Sequence, residues 1–115
     1  MDQRGGDESI LDALRRPVIV RYSPRAVRDL ESIREYLSAR SARGAVAVLA
    51  AIYAAVEFIR RNPEAAEATS ISNVRGKIVG RFRFKIFYRV VEAEGAIDIV
   101  HVRHTSRRAW LGQDE

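Results

Sequence analysis

Cysteine is absent from this 115-residue chain. Disulfides and thiolate metal sites are therefore excluded. Histidine is scarce: His101 and His104 are the whole supply. That is too little for a structural zinc site, and no metal site is expected. Long apolar runs are missing as well. The longest, Ala45 to Ile59, is short for a bilayer span and carries Glu57. The N-terminus is acidic where a signal peptide would place cations before an apolar core. The expectation is a cytoplasmic protein with no membrane partner. Proline occurs three times, at 17, 24 and 63, and each one falls where an element should begin or end.

What the chain does have is apolar residues and arginine. The apolar fraction is 47%, too high for a disordered chain, and the length sets one domain with a modest core. Net charge is +5, and it is unevenly spread. From Val74 to Trp110 there are nine Lys or Arg against three Asp or Glu, so the rest of the chain is close to neutral. A basic C-terminal half fits an anionic partner, either nucleic acid or an acidic protein. Eighteen of the twenty cations are Arg. Compositional bias accounts for that choice of residue, but less well for the clustering.

Residues 1–16 are expected to be an N-terminal extension, mobile or a short helix in which Ser9 caps Ile10, Leu11 and Leu14, with residues 17–115 forming the domain. Val18 to Tyr22 is a β-branched run and reads as a strand. Ser23-Pro24 supplies an N-cap followed by proline at the first helical position. Ala26, Leu30, Ile33 and Leu37 then recur at one helical face, widened by Val27 and Tyr36, to about Ala39. A second helix runs from about Gly44 to Arg61, where Asn62-Pro63 stops it. Ala45, Leu49, Ile52, Val56 and Ile59 form its core stripe. Val46, Val48, Tyr53 and Phe58 lie outside that stripe. One helix and one small sheet rarely cover a whole circumference, so part of this surface is expected to meet a partner.

Glu64 to Asn73 reads as a polar loop. The β-rich half starts at Val74, with Gly76 and Gly80 signalling tight backbone or a bulge. Arg81 to Val91 reads as a two-faced strand. Phe82, Phe84, Ile86, Tyr88 and Val90 fall on one side; Arg81, Arg83, Lys85, Phe87, Arg89 and Val91 fall on the other. Glu94-Gly95 makes a hairpin turn, and Ile97 to Arg103 returns. Alternation leaves both faces of that return strand mixed. The layout is α+β: strand, helical hairpin, then a three-stranded antiparallel meander with the helices on one face.

Several segments together resemble the ParE/RelE toxin superfamily, the ParE branch most closely. They are Tyr22-Ser23-Pro24-Arg25-Ala26, Asp29-Leu30, Ile33 to Leu37, the Asn62-Pro63 break, Arg75, Arg81-Phe82-Arg83, Ile86 to Val90, and Ile97 to His104 followed by Arg107 and Arg108. The resemblance spans roughly residues 18 to 110. It implies the toxin of a type II toxin–antitoxin module, partnered by an antitoxin, often of the ParD type, a small acidic protein. ParE-branch toxins are associated with DNA gyrase, and RelE-branch toxins cut mRNA in the ribosome. No cofactor is implied.

Metal-free RNA cleavage needs a base, an acid and cations around the phosphate. His104, Arg75, Arg83 and Lys85 are the candidates for it. Against this reading, the basic neighbours of His104 in sequence are Arg103, Arg107 and Arg108 with no carboxylate among them, and Tyr88 falls on the core side. His101 reads as a hydrogen-bonded structural histidine. An inhibitor asks only for a basic surface with anchors, and Arg81, Arg83, Arg107, Arg108 and Trp110 are the expected target-binding residues. Trp110 by itself reads as packing. Val46, Tyr53, Phe58, Arg83 and Arg89 are the expected antitoxin contacts. A plain nucleic-acid-binding domain ranks last, because neither helix looks like a groove reader.

Overall fold

The computed structural model describes residues 18–106, 110 and 112. The expected extension, 1–16, and Arg107 and Arg108 lie outside the described residues. Strand β1 is Ile19–Tyr22, helix α1 is Pro24–Ser38, and helix α2 is Ala42–Arg61. Four strands follow: β2 at Glu67–Ala68, β3 at Arg75–Val79, β4 at Phe84–Val91 and β5 at Ala96–His104. Among the described residues they form one five-stranded sheet in the order β1-β5-β4-β3-β2. The β1–β5 pair is parallel and the other pairs are antiparallel. The α+β layout and the meander are as expected from the sequence.

Both helices begin where serine can accept an orphan N–H. Ser23 Oγ accepts from Ala26 N at 3.0 Å, with Pro24 next in the chain, and Ser41 Oγ accepts from Gly44 N at 3.0 Å. α2 stops at Asn62, whose side chain also donates to the Phe58 carbonyl. Ala26 and Leu30 of α1, with Val48, Ile52, Ala55, Val56 and Ile59 of α2, pack on Ile86, Tyr88, Ile97, Ile99 and Val102 of the sheet. Tyr88 is wholly buried, and its hydroxyl donates to the Pro63 carbonyl at 2.6 Å. The bond ties the end of α2 to the sheet and satisfies two polar groups that are costly to leave unpaired. Burial pushes the Tyr88 phenol above its usual value, since it disfavours the phenolate.

The stripes needed adjusting. Val48 is buried, while Val27 and Tyr36 are exposed, because the sheet covers a narrower arc of α1 than the apolar count suggests. α2 has 20 residues and is long and apolar enough to cross a membrane by length and composition alone. Its buried stripe is nonetheless spent on the sheet and α1. The loop expected over Glu64–Asn73 contains β2, two residues paired with Gly76 and Arg75.

The largest correction concerns Arg81 to Val91, which is not one continuous strand. Gly80–Phe82 is a 3-10 turn and Arg83 is left-handed, with φ 62°. Gly80 takes φ 38°, a region open to glycine at little cost, so the chain turns a corner before β4 begins. Arg81 and Arg83 therefore stand on a corner and not on a sheet face. Phe87, expected among the cations, is buried on the side away from the helices with Val74, Val100 and Trp110. The Lys85 side chain lies across Gly76, where any Cβ would collide with it.

Candidate functional site

β5 outruns β1. Pairing ends at Tyr22 with Ile99, so among the described residues no strand pairs with that edge of β5 from Val100 onward. A bulge sits there: Phe87 pairs with His101 and Tyr88 with Ile99, leaving Val100 as the extra residue. The extra residue resolves the mixed faces. Ile97, Ile99 and Val102 point to the helices, while Val100 packs with Phe87 on the other side. His101 joins that side too, stacked on Phe87 at 5.6 Å between ring centroids.

α1 supplies what the missing strand does not. Ser23 N–H donates to the Ile99 carbonyl, and Ser23 Oγ donates to the Val100 carbonyl at 3.1 Å. Asp29 Oδ2 accepts Val102 N–H at 2.9 Å and lies 2.7 Å from His101 Nδ1. Arg25 donates to the other carboxylate oxygen at 3.1 Å. Burial opposes ionisation of Asp29, but His101, Val102 N–H and Arg25 together outweigh it and hold the carboxyl below its usual value. His101 is thus a buried, hydrogen-bonded structural histidine, as its setting in the sequence suggested.

Beside this edge opens a cleft of about 970 Å³. Ile33, Leu37, Val48, Phe82 and Phe84 give it apolar walls; Arg25, Asp29, Arg103, His104 and Ser106 supply polar ones. At its end the chain doubles back: Thr105 N–H donates to the Arg83 carbonyl at 2.7 Å. That bond brings the exposed Arg83 beside His104, with the exposed Arg81 two positions before it in the corner. Arg81 leans on the Phe82 ring at 5.0 Å. His104 stacks edge-on against Phe84, and its Nδ1 accepts Ser106 N–H at 3.1 Å.

The nuclease candidates are only partly gathered: Arg83 lies beside His104, but Lys85 and Arg75 do not. His104 pairs with Phe84 and shares its face, the helix side, whereas Lys85 pairs with Arg103 and points to the opposite face. Arg75 pairs with Tyr88, at the far end of the β3–β4 ladder, and donates to the carbonyls of Glu64 and Ala66. It buttresses a loop. Lys85 and Arg103 flank the Phe87 ring at 5.3 and 5.9 Å, on the face that also carries Trp110. Among the described residues no group of three His, Cys, Asp or Glu could hold a metal ion. Trp110, expected among the target contacts, is 6% exposed, its ring 4.8 Å from Phe87 and 4.7 Å from His101. Its ring packs onto the sheet, because Phe87 and His101 offer it an aromatic platform.

A family profile described as the ParE toxin of the type II toxin–antitoxin system parDE matches residues 20–109. The chain belongs to this ParE toxin family. The fold agrees. A chain of the chromosomal ParDE system from P. aeruginosa superposes with a TM-score of 0.68 at 18% identity, covering 78% of this chain and 98% of that one. A chain of the intact E. coli RelBE toxin–antitoxin complex gives 0.51 at 12%, covering 78% and 99%. The isolated E. coli RelE toxin gives 0.52 at 12%, covering 79% and 87%. Sequence comparison with curated proteins gives no match.

This ParE-family toxin keeps a second exposed surface on α2. Val46 is 68% exposed, Tyr53 49% and Phe58 42%, with Ala50 and Ala54 between them on the same side. Lys77 of β3 sits over the Phe58 ring at 4.6 Å. β2 covers only Arg75 and Gly76, so among the described residues the outer edge of β3 has no partner strand from Lys77 to Val79, and Ile78 is exposed there. The expected antitoxin contacts are thus divided. Val46, Tyr53 and Phe58 lie on α2, whereas Arg83 lies on the corner. Arg89 stands opposite Asp98 in the β4–β5 ladder, and Arg21 grips that Asp98 at 2.6 and 3.1 Å. Sequence reasoning missed Asp29 as a site residue. The available signal was a carboxylate three positions after Ala26 and next to Leu30, at the border of the buried stripe of α1.

Proposed function

We propose that this toxin of a toxin–antitoxin system acts in the cytoplasm by inhibiting DNA gyrase, and that a small acidic antitoxin of the ParD type neutralises it. The observation that carries the reading is that Lys85 and Arg75 stand apart from His104 and Arg83, so the full set a nuclease would need does not converge. His104 and Lys85 point to opposite faces, and Arg75 is committed to loop carbonyls. An inhibitor needs no such convergence; an exposed basic corner with Arg81 and Arg83 suffices. The test compares two targets. Purified gyrase should accumulate stalled cleavage complexes with the toxin, while mRNA on ribosomes stays intact. Cut mRNA with unaffected gyrase would replace this reading with a RelE-like nuclease.

The open edge of β3 supports the antitoxin reading. It links the apolar side of α2 to the basic side of the sheet, so one extended acidic and apolar segment can reach both. Tyr53→Glu combined with Phe58→Glu should weaken antitoxin binding by at least about 100-fold in titration calorimetry, the scale of losing two interface anchors. Toxicity in the absence of antitoxin should persist. Free toxin should also bind an apolar dye and associate at high concentration. A monomeric, dye-silent toxin would show that this side of α2 needs no cover.

A further inference from the structure

We infer that Asp29 and His101 are positioning residues that seat the Trp110 ring on the sheet, on the face that carries Lys85 and Arg103. The seat is built in three steps. α1 fixes the Asp29 carboxylate at the open edge of β5, where it takes Val102 N–H and His101 Nδ1 on the same oxygen. That grip sets the His101 ring, which lies nearly parallel to Phe87, at an interplanar angle of 17°. Trp110 then packs against both rings, tilted by 48° to His101 and 58° to Phe87. A free imidazole can turn about its side-chain bonds; one held by a carboxylate cannot, so the platform is pre-organised.

The charged neighbours show why the seat matters. Arg25 of α1 faces Asp29, Lys85 of β4 and Arg103 of β5 flank Phe87, and Asp29 is the carboxylate among them. Lys85 and Arg103 stand directly opposite each other, a pairing that strands usually avoid. The aromatic seat therefore holds Trp110 on the face where these two cations stand. That the placement of Trp110 contributes to toxicity rests on the inhibitor reading above; the seat itself does not.

Trp110 is the only tryptophan, so its fluorescence reports the seat directly. His101→Asn places an N–H where Nδ1 stands, keeping the donor to Asp29 while deleting the ring. We expect this variant to keep its circular dichroism and cooperative melt. Its acrylamide quenching constant should rise at least about twofold as Trp110 loses a stacking partner. Growth inhibition in cells should weaken by at least about tenfold, the effect of roughly 1.4 kcal/mol at a binding surface. Asp29→Asn should release Trp110 as well; if that chain fails to fold, His101→Asn carries the test. Quenching unchanged in His101→Asn would overturn the seat. Trp110 released with full growth inhibition would overturn its positioning role. If wild-type toxin leaves gyrase untouched, the gyrase reading falls, while the quenching result still decides the seat.

Discussion

Arg81→Glu combined with Arg83→Glu should abolish toxicity and leave the fold intact. Both residues are exposed and stand on the corner between β3 and β4. Arg81 leans on Phe82 at the surface, and Arg83 contributes its backbone carbonyl, which a side-chain change leaves in place. Arg83 already carries the cost of a left-handed conformation, about 1 kcal/mol, and glutamate carries much the same cost there. Surface changes of this kind usually move stability by no more than about 0.5 kcal/mol each. The functional effect should be far larger, because two attractive contacts become two repulsive ones. A loss of inhibition of at least about 100-fold is expected, since like-charge contacts across an interface cost several kcal/mol. Supercoiling assays with purified gyrase measure it, with thermal melts as the control for folding. Retained inhibition at unchanged stability would mean that this corner is only solvated.

The helical hairpin was legible because its signals are local. Ser23-Pro24 and Ser41 start the helices, Asn62-Pro63 ends the second, and the buried positions repeat with helical spacing. The meander was legible for the same reason, down to Gly95 at φ 59° in its turn. What failed was the assumption of an unbroken two-residue period. In β4 it placed Arg81 and Arg83 on a strand that starts only at Phe84. In β5 it could not choose a core face, because the bulge at Val100 adds a residue and reverses every later side chain. The residue that supports the bulge, Asp29, lies 72 positions earlier in the chain, beyond the reach of any local pattern. β2 escaped because two residues, Glu67 and Ala68, carry no periodicity at all. The basic character of the site was therefore readable from composition, but its placement on a corner was not.

Asp29→Ala should be among the most destabilising single substitutions in the domain, although Asp29 belongs to no hydrophobic cluster. Its carboxylate serves three donors: Val102 N–H, the His101 ring and the Arg25 guanidinium. Alanine would leave the first two without their acceptor on the edge of β5 that, among the described residues, no second strand covers. Losing one partner of a buried hydrogen-bonded pair costs about 3 kcal/mol, and a domain of this size then melts roughly 10–20 °C lower. The acid limb gives a second signature. The folded carboxyl titrates below its ordinary value of 3.8, so the unfolded chain binds its proton first as pH falls. Asp29 thus stabilises the fold fully above the ordinary value, and this contribution fades as pH drops through the lowered one. Wild-type stability should decline across that window, and Asp29→Ala should decline less steeply because it has already lost the term. Urea melts at pH 7 and at successive steps below pH 4 would measure both effects. Parallel slopes in the two proteins would show that Asp29 titrates alike folded and unfolded, and that the bulge is held by Ser23 and packing alone.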